Sequence, residues 1–89
     1  MATVIVQHKV KDFAEWKKTF DSAIEMRKSA GELSAQVFRD AEDPNSLTVI
    51  NQWDSIENAQ KFVQSPELKA AMEKAGVAGP PMITFLNEV

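Results

Sequence analysis

The sequence predicts an α+β fold with one four-stranded antiparallel sheet and its helices on a single face. Three observations predict it. Apolar segments alternate in period along the chain as strand, helix, strand, strand, helix, strand. The two central strand segments are joined by the turn residues Glu42-Asp43-Pro44-Asn45. Each helical segment opens on a capping residue and closes near a glycine. Two split βαβ units in this order make a ferredoxin-like βαββαβ sandwich with strand order 4-1-3-2.

The elements follow in order. Thr3 to Val10 is rich in β-branched residues and apolar on both faces. Val4, Val6, His8 and Val10 share one side; Thr3, Ile5, Gln7 and Lys9 share the other. Asp12 caps a helix, with Glu15 in capping-box spacing. Phe13, Trp16, Phe20, Ala23 and Ile24 then fall on one face, and the helix is expected to run to Ala30 and stop at Gly31. Leu33–Arg39 and Ser46–Trp53 form a hairpin, with Pro44 suited to the first central turn position. Asp54 or Ser55 caps the next helix, which carries Ile56, Ala59 and Val63 on one face and Phe62 at its border. Ser65-Pro66 restarts it as cap and first helical residue, and Leu68, Ala71, Met72 and Ala75 carry the apolar stripe to Gly76. Gly79-Pro80-Pro81 reads as a connector. Met82 to Val89 reads as a last strand at a sheet edge, because Pro81 cannot donate to a ladder.

The chain has 89 residues, enough for a single domain, 1–89. A chain this short buries only about 60% of its unfolded surface. Strands one, three and four are apolar on both faces, whereas the helices cover one. The uncovered face is larger than a monomer usually exposes, so a homodimer with the two sheets face to face is expected. The composition is 44% hydrophobic and 26% charged, and the net charge is −3. That balance argues against a nucleic-acid partner, which would need a basic face. No apolar run approaches the length of a membrane span, so no membrane partner is expected. There are no cysteines, which excludes disulfides and thiolate zinc sites. The start, MATVIVQHKV, lacks the form of a signal peptide, and cytoplasm is the expected location.

The strand VIVQHKV, the helix DFAEWKKTF, the run VINQWDSIENAQKFVQSPELKAAM and the closing strand MITFLNEV resemble the dimeric α+β barrel superfamily. Within it they are most similar to the antibiotic-biosynthesis-monooxygenase-like proteins. The resemblance covers nearly the whole chain and rests on apolar spacing plus Trp53 and Ser65. It implies chemistry without metal or flavin: an electron-rich phenol held between helices and sheet reduces oxygen itself, and the protein supplies shape, desolvation and hydrogen bonds. In haem-degrading relatives a histidine ligates iron where this chain has Met72, and a tryptophan stands where it has Phe62. The resemblance therefore implies no haem here, and no cofactor is expected.

His8 is the only histidine, and it titrates nearest neutrality. It reads as a base or anchor facing a cavity, or as a strand-end residue in phase with Val4 and Val6 by accident. Asn51 shares a strand face with Leu47, Val49 and Trp53; it could hold an oxyanion, or bond to backbone. Trp16, Trp53, Phe62 and Met72 are the candidate pocket walls, with Trp53 also a core residue in its own right. Arg39, beside Asp40 near the turn, reads as solvated. No nucleotide loop, metal-binding cluster or nucleophilic serine motif is present. The expected function is a cofactor-independent monooxygenase on a small aromatic or polyketide-like substrate, with His8 and Asn51 as its polar groups. The alternative is a non-catalytic dimeric binding or regulatory module of the same fold, and a third reading is a structural dimer whose cavity is packed core.

Overall fold

A computed structural model describes residues 2–89. The elements run β1 (Ala2–Val10), α1 (Phe13–Ser22), α2 (Ile24–Ala30), β2 (Glu32–Arg39), β3 (Ser46–Trp53), α3 (Ile56–Val63), α4 (Pro66–Ala75) and β4 (Val77–Asn87). The four strands form one antiparallel sheet in order β2-β3-β1-β4, which is the expected order 4-1-3-2 counted from the other edge. Among the described residues, no helix is long and apolar enough to cross a membrane.

Capping residues set the helix starts. Asp12 accepts from the Ala14 N–H at 2.9 Å, Ser55 from the Asn58 N–H at 3.1 Å, and Ser65 from the Leu68 N–H at 3.2 Å. Each satisfies a donor that the helix cannot. Gly31 ends α2 at φ 118°, and an added Cβ there would lie 2.5 Å from Asp54 Oδ1.

Two elements differ from expectation. The first helix is two. The Phe20 carbonyl accepts from the Ala23 N–H at 3.2 Å and also from Arg27 Nη1. The Ala23 N–H also reaches the Thr19 carbonyl at 3.1 Å, a bifurcated bond of the kind that closes a helix, and a new helix begins at Ile24. The last strand begins at Val77, before the prolines. It pairs Ala78 with Lys9 and Met82 with Gln7, so Gly79, Pro80 and Pro81 bulge opposite His8 alone. The lack of N–H groups on Pro80 and Pro81 suits an interrupted ladder. β4 is an edge strand, as Pro81 implied.

Register assigns the faces. Ala2, Val4, His8 and Val10 of β1 and Leu47, Val49, Asn51 and Trp53 of β3 are buried under the helices. The core there has two clusters, one around Val4, Trp53 and Phe62 and one around Val10, Trp16, Leu47 and Val49; Val6 packs against both. On the opposite sheet face, Ile5 pairs with Ile50, Thr48 with Phe38, Gln7 with Met82 and Thr3 with Leu86. Phe38, Met82 and Leu86 are 49%, 65% and 42% exposed.

Candidate functional site

Between the two core clusters lies a chamber of about 100 Å³. Its floor is Val4, Val6 and His8 of β1, Val49, Asn51 and Trp53 of β3, and Ile83 of β4; the helices supply the roof. His8, Asn51, Trp16, Trp53, Phe62 and Met72 all line it, so the six side chains singled out from the sequence share one wall system. They do not converge on one point. Asn51 pairs with Val4 in register, which is four residues from His8, about 13 Å along the strand. The chamber therefore has two polar ends.

At the first end His8 is buried, 8% exposed. Its ring lies 5.6 Å from that of Trp16, and Trp16 stacks on Phe20 at 4.9 Å. Among the described residues neither His8 Nδ1 nor Nε2 has a hydrogen-bond partner. Burial removes water that would solvate an imidazolium, and the His8 pKa falls below its ordinary 6.5. His8 is thus a neutral imidazole at neutral pH, with one donor and one acceptor nitrogen.

The second end is a network that sequence reasoning missed. Arg27 of α2, 7% exposed, donates from Nε to Glu32 Oε1 at 3.0 Å and from Nη1 to the Phe20 carbonyl. Its guanidinium also lies 3.7 Å from the centre of the Phe20 ring. Glu32, equally buried, accepts on its other oxygen from Asn51 Nδ2 at 2.6 Å. Arg27 and Asn51 line the chamber; Glu32 stands behind them. A signal was present: Arg27 follows Phe20, Ala23 and Ile24 on the same helical stripe, where a charged residue must find a partner or leave the face. Trp53 ends this side, 5.2 Å from the Phe62 ring, with its Nε1 unpartnered among the described residues. Arg39, by contrast, stays exposed and bonds the Pro44 carbonyl.

A groove of about 610 Å³ runs along α4 and the β4 bulge, lined by Ser65, Lys69, Glu73, Gly79 and Pro81 among others. Val63, Leu68, Met72 and Ile83 line both spaces, so they form the partition between chamber and groove. Among the described residues, no group of three or more His, Cys, Asp or Glu side chains could hold a metal ion.

The fold has solved counterparts. A proposed antibiotic biosynthesis monooxygenase from Bordetella bronchiseptica superposes with a TM-score of 0.83 at 20% identity, over 99% of this chain and 96% of that one. A second such protein, from Caulobacter crescentus, gives 0.78 at 24% identity, over 99% and 89%. SnoaB, a cofactor-independent oxygenase from Streptomyces nogalater, gives 0.78 at 14% identity, over 99% and 92%. At these identities the likeness is one of fold. No curated protein matches the chain. The antibiotic biosynthesis monooxygenase family model matches residues 1–74, well over half the chain, and the protein belongs to that family.

Proposed function

We propose that the protein is a cofactor-independent monooxygenase acting on a single-ring phenol or hydroquinone. The observation that carries this is the pair of unpartnered His8 nitrogens at the wall of a mainly apolar chamber. Buried polar atoms are nearly always bonded, so such a pair marks a place where a ligand atom belongs. Family membership and the likeness to a cofactor-independent oxygenase fold support the same chemistry. The chamber volume of about 100 Å³ favours one ring over a multi-ring polyketide.

His8, neutral in its buried site, takes the phenolic proton. The anion so formed gives electrons to O₂. One oxygen atom bonds to a ring carbon and the other leaves as water, its two hydrogens drawn from the phenol O–H and the ring C–H, and the product is a quinone. Trp16, Trp53, Phe62 and Met72 exclude solvent and hold the ring flat, which is positional catalysis. The groove beyond Leu68 and Met72 is the entry route. The working unit is a homodimer closed through the open sheet face. Oxygen uptake measured against a panel of phenols and hydroquinones tests this reading. At least one member is expected to be turned over, with His8→Ala at least tenfold slower. Uptake no faster than without protein across the panel rejects the activity, and unchanged turnover in His8→Ala removes the histidine.

A second reading is a non-catalytic, dimeric small-molecule-binding module. The mutual neutralisation of Arg27 and Glu32 favours it, because it leaves His8 as the one uncommitted ionisable group on the chamber wall. Ligand binding without oxygen uptake would select it.

A further inference from the structure

The geometry points to Glu32 as the specificity-determining residue of the chamber: it fixes Asn51 as a hydrogen-bond acceptor, so that end takes an uncharged O–H or N–H donor and turns away an anion. The inference rests on the small-aromatic reading above and deepens it.

The argument starts from what each atom can do. A carboxylate oxygen only accepts. Glu32 Oε2 lies 2.6 Å from the Asn51 amide, so the amide must turn its NH₂ toward Glu32. Its carbonyl Oδ1 then points away from Glu32 and is left for the chamber that Asn51 lines. Asn51 cannot reverse without setting two acceptors against each other. The nearest cation is already balanced by Glu32. Arg27 donates its Nε to Glu32 and its Nη1 to the Phe20 carbonyl and sets its face over the Phe20 ring, so only Nη2 is uncommitted. An anion at this end would meet the Asn51 carbonyl dipole and the Glu32 charge behind it, with Arg27 already neutralised. A neutral donor would find a fixed acceptor. Glu32 touches no ligand, so its part is positional. The two ends of the chamber are then complementary in role: His8 removes a proton, whereas Asn51 receives a hydrogen bond from a group that keeps its own.

Three probes of one shape class separate the terms: phenol, a neutral donor; anisole, which lacks the donor; and benzoate, an anion. Their binding to the protein is measured by titration calorimetry under nitrogen, with no turnover required. Wild type is expected to bind phenol at least tenfold more tightly than anisole and benzoate more weakly still. Glu32→Gln can offer an amide N–H to Asn51 Oδ1 and leaves Arg27 without its counter-charge. It should cut the phenol-to-anisole ratio below threefold and raise benzoate affinity at least tenfold. Wild type binding benzoate as well as phenol, or phenol no better than anisole or not at all, overturns the inference whether or not the variant folds. So does a folded Glu32→Gln that keeps the wild-type order. The expected order without oxygen uptake on any phenol would leave this inference standing and reject the oxygenase.

Discussion

At the scale of single residues, each of the chamber's two ends has a consequence that can be measured. His8 is the only histidine, and its pKa is lowered in the fold from 6.5 by burial. The unfolded chain therefore binds a proton at a pH where the folded one does not. Stability is expected to be level above about pH 7 and to fall as pH drops below 6.5, until the lowered folded value is passed and both states are protonated. Urea unfolding across that window checks it: His8→Gln should flatten the slope there, and an equal slope in the variant would assign it to carboxylates. At the other end, Arg27 and Glu32 are a buried ion pair, 3.0 Å apart with side chains 8% and 5% exposed. Glu32→Leu leaves a buried guanidinium unanswered and strips Asn51 Nδ2 of its acceptor, an expected cost of about 3–5 kcal/mol. Adding Arg27→Met should recover a large part of that loss. Denaturation midpoints decide it, and losses that simply add would show that the pair does not act as a unit.

At the scale of elements, punctuation in the sequence decided most of what could be read. Ser65 before Pro66 marks a restart, and there α4 begins, with Ser65 also donating to the Phe62 carbonyl at 2.7 Å to close α3. Alternation in Ser46–Trp53 places Leu47, Val49, Asn51 and Trp53 inside, as the burial of β3 has it. The α1–α2 break was illegible because the apolar stripe runs unbroken through Ala23 and Ile24, and the contact found there, Arg27 Nη1 to the Phe20 carbonyl, spans seven residues that no period reports. The start of β4 was illegible because two prolines read locally as a connector, whereas the ladder to Lys9 and Val10 resumes on their far side. Shared walls were legible in the candidate site, since strand phase and helix stripe both fix direction. The Glu32 network was not, because it joins α2, β2 and β3 through contacts that no single period reports. Gly31 sits at this junction. Its φ of 118° and the Asp54 carboxylate 2.5 Å from a built Cβ leave no room for a side chain. Gly31→Ala is expected to lower stability by more than about 1 kcal/mol, and a thermal midpoint equal to wild type would contradict the strain.

At the scale of the whole molecule, the sheet has one face more than its helices can cover. The face away from the chamber carries Ile5 opposite Ile50, with Phe38, Met82 and Leu86 around them. Between these lie Thr3, Thr48, Thr84, Gln7, Gln36 and Gln52; charged residues are scarce there. Apolar side chains among uncharged polar ones, with charge depleted at the centre, are the composition of an interface core. A two-fold axis through the Ile5–Ile50 pair would set the patch against itself and remove the exposed area of both copies. The chamber on the opposite side would gain stiffness in its floor, since β1 and β3 belong to both surfaces. Wild type should sediment at twice its 9.9 kDa mass at micromolar concentration. Ile50→Lys places like charges near one axis while leaving the helix-side core intact, so it should sediment as a folded monomer with wild-type near-ultraviolet dichroism. A wild-type protein that sediments as a monomer would reject this arrangement. An Ile50→Lys variant that stays dimeric would move the interface to another surface.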